Sequence, residues 1–139
     1  MRYMGLDLGS KTLGIALSDP SGIIANAIGT FSFAEGNYAD AINKTLDLAI
    51  SHHVDTIVLG HPKNMDGTQG FQARIAENFK SELEKRTNVN VLLWDERLTT
   101  KMAVQTMIAV GTKRKEKKLK VDQLAATIIL QSYLDSRKK

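Results

Sequence analysis

Three stretches put carboxylates where chemistry could use them. In "MGLDLGSKTLGIALSD" (residues 4–19), Asp7 stands between two leucines, with Gly5 and Gly9 keeping bulk away on both sides. A carboxylate in an apolar strand costs several kcal/mol, roughly, unless it is paired, protonated or bound to a cation. A turn cap at Ser10–Thr12 is the competing use of such a residue. In "WDERLTT" (94–100), Asp95, Glu96 and Arg97 sit where a buried strand ends, and ligands of parallel sheets bind beyond the carboxyl ends of strands. Adjacent strand residues point to opposite faces, so one of Asp95 and Glu96 serves a site and the other is solvated. A plainer reading has Arg97 simply neutralising Glu96, and Trp94 belonging to the core. In "KVDQLAATIILQSYL" (120–134), Asp122 is expected in the first turn of a helix, where the helix dipole favours a carboxylate. Ala125 and Ala126, one turn on, are small enough to let that helix approach a sheet closely and aim Asp122 at a shared site.

Three carboxylates with no cysteine and only three scattered histidines point to a hard divalent cation, Mg²⁺ or Mn²⁺. Two such ions ~3.5–4 Å apart activate water and stabilise a leaving oxygen in phosphodiester cleavage. Such a cation would compensate Asp7.

Two further stretches suit phosphate. "GHPKNMDGTQG" (60–70) is a glycine-rich loop between a buried strand and a helix, able to meet phosphates through backbone N–H groups and Lys63. It lacks the G-K-[ST] ending of a Walker loop. His61 could assist proton transfer there, while the adjacent His52 and His53 read as surface residues at a helix end. "KRKEKKLK" (113–120) holds six basic residues and one acidic one and is expected to be a flexible loop directly before Asp122. Lys113, Arg114, Lys115, Lys117 and Lys118 would clamp a phosphate backbone without base stacking, since no aromatic residue interleaves them. Lys11 and Arg97 join Lys63 and this run as candidate nucleic-acid contacts. Charge distribution agrees: residues 1–112 carry 10 Lys+Arg against 12 Asp+Glu, residues 113–139 carry 9 against 3. A basic quarter on a near-neutral body suits a polyanion touched from one side, or a solubilising tail.

The elements that must position these residues follow from hydrophobic periodicity. Segments around Leu6–Leu8 and Leu13–Leu17 and the stretch "GIIANAIGTFSF" form three antiparallel strands, with Gly22 marking the turn before the third. Tyr38, Ile42, Leu46 and Ala49/Ile50 recur at helical spacing, with Asn37 as N-cap. "DTIVLG" (55–60) and "VNVLLWD" (89–95) are short apolar runs typical of buried parallel strands. Between them Phe71, Ile75, Phe79 and Leu83 step by four along a helix. Thr99 or Thr100 caps another helix, carrying Ala103, Val104, Met107 and Ile108 and stopped at Gly111. A last helix from about Lys120 to Leu134 buries Val121, Leu124, Ala125 and Ile128. The order β-β-β-α-β-α-β-α-α predicts an α/β fold: a mixed five-stranded sheet with helices on both faces, in which the strand of Asp7 is central. The 139 residues, 42% hydrophobic and 24% charged, suit one globular domain over 1–139. With no cysteine, no basic-plus-apolar leader and no apolar run of membrane-spanning length, the expected setting is the cytoplasm, away from any membrane.

The segments "GLDLGSKTLGIALSD", "LGHPKNMDGTQG", "WDERLTT" and "KVDQLAATIILQSYL", in this order, resemble the YqgF family, also called RuvX, within the RNase H-like superfamily. The resemblance covers nearly the whole chain, and "DERLTT" with "VDQLAA" is its most specific part. It implies an RNase H-like sheet and an acidic triad at Asp7, Glu96 and Asp122. It also implies metal-dependent nuclease action, in maturing the 5′ end of the 16S rRNA precursor or on Holliday-type DNA junctions, with ribosomal precursor particles as a possible setting. Two positions depart from the family pattern: Thr12 follows Lys11 where the family commonly has Arg, and His61 occupies an often apolar position. "GLDLGSKTLGIALSD" is also similar to the first phosphate loop of actin, Hsp70 and sugar-kinase ATPases, but the chain has length for one such unit and no second phosphate loop. A non-catalytic RNA-binding module is the other alternative; it would need the basic run but not three acids.

Overall fold

The computed structural model describes residues 1–62, 70–95 and 114–137, the stretch 114–122 by its backbone alone. Five strands, β1 (Tyr3–Leu8), β2 (Thr12–Ser18), β3 (Ala25–Ser32), β4 (Thr56–His61) and β5 (Asn90–Asp95), make one sheet in the order β3-β2-β1-β4-β5. The first three form the expected antiparallel meander, and β4 and β5 add in parallel on the other side of β1. β1 is therefore the middle strand. Gly22 turns the chain into β3 at φ +71°. An added Cβ there would also meet the ring of Tyr3 at 2.8 Å, so both backbone angle and space call for glycine.

Helices α1 (Tyr38–Ser51) and α2 (Phe71–Arg86) cover one face, and α3 (Arg114–Ser136) covers the other. Strand alternation sorts the residues between the two cores. Met4, Leu6, Leu8, Ile57, Leu59 and Val91 pack with Ala41, Ile42, Phe79 and Leu83 of α1 and α2. Tyr3, Ala16 and Val58 pack with Ala126, Ile129, Leu130 and Leu134 of α3. None of the described helices is long and apolar enough to cross a membrane.

Several expectations are corrected. Asn37 is the N-cap residue of α1 as expected, but its side chain makes no cap bond; its amide donates to Asp40 at 3.1 Å instead. Phe71 and Ile50 lie at the ends of their helices, 77% and 75% exposed, so the buried stripes run through Ala73, Ala76, Phe79 and Leu83 and through Ala41, Ile42, Thr45 and Ala49. The largest difference lies in the basic run. From Arg114 onward it is helix rather than flexible loop, continuous with the C-terminal helix. Arg, Lys, Glu and Leu are all good helix formers, and neither glycine nor proline interrupts positions 114–136. Asp122 is consequently the ninth residue of α3, beyond the first turn. The stripe on α3 is also shifted: Ala125, Ala126, Ile129, Leu130 and Leu134 are buried, whereas Leu124 and Ile128 flank it. The expected helix over 99–111 lies outside the described residues.

Candidate functional site

The candidate site centres on the carboxyl end of β1, where Asp7 stands. Met4, Leu6 and Leu8 face α1 and α2, so the alternate residues Tyr3, Gly5 and Asp7 face α3. Asp7 is partly buried, at the end of the strand and just before the tight turn closed by the Gly9 N–H on the Thr12 carbonyl at 2.8 Å. In β2 its pairing partner is Gly14. In β4 the parallel register runs through Leu6–Leu59, so Gly60 comes next at the level of Asp7, and Gly60 in turn pairs with Trp94 of β5. Asp7 thus stands between two glycines on its neighbouring strands. Neither glycine places a side chain beside the carboxylate, and both are themselves buried. Neither Gly14 nor Gly60 carries a signal in the sequence, because only strand register sets them beside Asp7.

Helix α3 runs antiparallel to β1 across this face. The rings of Tyr3 and Tyr133 lie 5.8 Å apart, while a Cβ on Gly5 would come 2.7 Å from Leu130 Cβ and 2.8 Å from the Ala126 carbonyl oxygen. Moving from Gly5 to Asp7 is about 7 Å along the strand, which equals four to five helix residues at about 1.5 Å each. The backbone of α3 level with Asp7 is therefore that of residues 122–125, so Asp7 and the helix position of Asp122 share one end of the molecule. Gly5, Ala125 and Ala126, the last two fully buried, permit this close approach.

Other candidates separate by face. Asp95 ends β5 and, by alternation from Val91 and Leu93, belongs to the side of α1 and α2, opposite Asp7. His61 is on that same side, paired in register with Asp95. Its Nε2 lies 2.8 Å from Glu77 Oε2 of α2, and it is only 6% exposed. A structural hydrogen bond between β4 and α2 accounts for this histidine. Trp94 lies on the α3 side, partly buried, edge-on to Tyr133 at 5.4 Å, with its indole N–H donated to Ser132 Oγ at 3.2 Å. Lys11 is exposed in the β1–β2 turn, at the same end of the sheet as Asp7. His52 and His53 close α1, half-buried and exposed. Arg114, Lys115, Lys117 and Lys118 are helical positions of α3. Glu96, Lys63, Arg97 and Lys113 lie outside the described residues. Among the described residues no three metal-ligating side chains form a group.

Comparison with known proteins extends over the same chain. The family model described as "RuvX: Holliday junction resolvase" matches residues 1–136. A Bacillus subtilis (strain 168) protein named "Putative pre-16S rRNA nuclease" is 47% identical over 138 residues, covering 98% of this chain and 99% of its own. A Geobacillus sp. (strain WCH70) protein of the same name is 44% identical over 137 residues, with 99% of each chain covered. Among solved structures, T. thermophilus RuvC with a Holliday junction substrate superposes with a TM-score of 0.60 at 13% identity, over 99% of this chain and 96% of that one. The Fowlpox virus resolvase with junction DNA gives 0.58 at 16% identity, over all of both chains. At such identities the structures speak for the fold, which is the RNase H-like fold of resolvases.

Proposed function

Because the chain belongs to the RuvX family of Holliday junction resolvases, a family of phosphodiester-cleaving nucleases, we propose that it is a divalent-metal-dependent nuclease acting on structured RNA, the 16S rRNA precursor in particular. The relatives at 44% and 47% identity, matched over nearly their full length, favour the RNA. The family's description makes a four-way DNA junction the second substrate to examine.

One observation carries the site assignment: Asp7 stands on the central strand with glycine on both neighbouring strands, level with the helix segment bearing Asp122. A half-buried carboxylate with no side chain at the adjacent position of either neighbouring strand, in a chain without cysteine, fits a hard oxygen-seeking cation. Asp7, Glu96 and Asp122 would hold it. When bound, such a cation lowers the pKa of water and neutralises charge on the cleaved phosphate. The chain's own contribution is positional: the strand and the closely packed helix hold their carboxylates in a fixed frame, and cations from the turn and from α3 hold the nucleic-acid backbone. That Asp95 belongs to the opposite face of the sheet supports choosing Glu96 over it.

The test is cleavage of a structured precursor RNA and of a four-way DNA junction, with Mn²⁺ and with chelator. Asp7→Asn, Glu96→Gln and Asp122→Asn should each remove metal-dependent cleavage, while Asp95→Asn keeps most of it. Thermal melts check the metal separately: stabilisation follows RT ln(1 + [L]/Kd), ~2.7 kcal/mol at a hundredfold excess over Kd, and Asp7→Asn should gain much less. An inactive Asp95→Asn beside an active Glu96→Gln, or equal metal shifts in both proteins, would overturn the assignment.

A further inference from the structure

The basic run being helical divides it in a way that a flexible loop would not. At about 100° per residue, the buried stripe of α3 through Ala125, Ala126, Ile129 and Leu130 continues toward the N-terminus through position 122, then 118 and 115. These three positions lie within about 50° of the middle of the stripe, whereas positions 117 and 120 lie about 150° from it. Arg114 falls near the boundary between the two sides. One contiguous line of positions therefore holds Lys115, Lys118 and Asp122, and the opposite line of the same helix holds Lys117 and Lys120.

The axial placement agrees. α3 is anchored over Gly5 at Ala126 and Leu130, and β1 ends at Leu8, about 10 Å beyond Gly5. Positions 118 and 115 lie about 15 and 20 Å along the helix axis from that anchor, in the direction of Asp7. The first turns of α3 thus overhang the carboxyl end of β1. At that end Asp7 stands between its two glycines and Lys11 is exposed in the turn. The inner line is the side of the overhang toward the end of the sheet that carries Asp7, and the outer line is the side away from it.

We propose that Lys115 and Lys118, on the inner line of α3 with Asp122, contact the phosphates next to the bond being cleaved, while Lys117 and Lys120 on the opposite line add only diffuse charge. This deepens the nuclease reading above and rests on it. It removes Lys117 from the phosphate contacts expected of the run as a loop, and separates lysines that are equivalent in composition.

The experiment compares two double variants of identical charge change, Lys115→Gln/Lys118→Gln and Lys117→Gln/Lys120→Gln, in the Asp7→Asn background to prevent cleavage. Glutamine keeps the helix propensity of lysine, and far-ultraviolet circular dichroism verifies that each variant is folded. Binding of a fluorescein-labelled structured RNA is followed by anisotropy from 50 to 200 mM KCl. Losing two phosphate contacts should flatten the slope of log K against log salt by about 1.4 to 1.8 units for the inner pair. The outer pair should change it by less than half as much. Lys115→Arg/Lys118→Arg should keep the parent slope, since arginine retains the charge. Equal flattening by both pairs, or a larger effect of the outer pair, overturns this proposal and leaves the nuclease reading standing. A parent protein that fails to bind the RNA at all overturns both.

Discussion

Substituting Gly5 by alanine perturbs stability and catalysis through one contact. The new Cβ would lie 2.7 Å from Leu130 Cβ and 2.8 Å from the Ala126 carbonyl oxygen, against the 3.4 Å at which ordinary contact begins. Both obstacles belong to the helix at or next to its backbone, so no side-chain rotation relieves them. α3 has to lift from β1 by about 0.7 Å, the difference between the two distances. Overpacking of this kind costs about 1–3 kcal/mol, offset in part by about 0.4–1 kcal/mol from the less flexible unfolded chain. With an unfolding entropy of about 2.1 cal/mol/K per residue, each net kcal/mol lowers the Tm of a chain of this length by about 3 °C. The lift also moves the segment bearing Asp122 relative to Asp7, the two carboxylates proposed to share the site, and misplacing catalytic groups by about 1 Å costs up to about 10²-fold in rate. Gly5→Ala should therefore melt several degrees lower and cleave ten- to a hundredfold more slowly at saturating Mn²⁺. Ile57→Val, fully buried in the other core, serves as control: it should lose about 0.5–1.5 kcal/mol and keep its kcat. A Gly5→Ala protein with the parent Tm would refute the close approach. One that is destabilised yet has the parent kcat would refute the claim that α3 positions a catalytic carboxylate.

The His61–Glu77 pair should matter for stability alone. Glu77→Ala leaves the buried Nε2 without its partner and should cost about 1–3 kcal/mol in urea melts, with kcat within threefold of the parent; a tenfold fall in kcat would bring His61 back into the chemistry. At the turn into β3, hydrogen bonds from the Ile24 and Ile23 N–H groups hold the Asp19 carboxyl below its ordinary value of 3.8. A depressed folded pKa means that its contribution is present above the unfolded value and is lost as pH falls through the lowered one. Amide exchange at Ile23 and Ile24, corrected for its intrinsic pH dependence, should therefore lose protection below pH 3.8 in the parent and show no such step in Asp19→Asn.

Strand existence, the antiparallel meander and the central place of β1 were legible because apolar runs and turn residues are local signals. Asp7 is legible for the same reason, as a charge in an apolar segment, and Ala125 with Ala126 marks a helix able to come close. Tertiary structure decided what depends on partners. The register of β1 with β2 and β4 sets glycines beside Asp7, although Gly14 and Gly60 lie far apart in the chain. Strand phase sent Asp95 and His61 to the face opposite Asp7, a sorting that adjacent polar residues at a strand end do not reveal by type. The charge of 113–120 suggested a solvated loop, yet its residues are helix formers, and continuity with a helix already packed on the sheet spares them the cost of starting a new one. Composition could say that this quarter of the chain is basic. Only the phase of α3 against β1 separates the lysines in line with Asp122 from those on the other side, because phase is fixed where Ala126 and Leu130 meet Gly5.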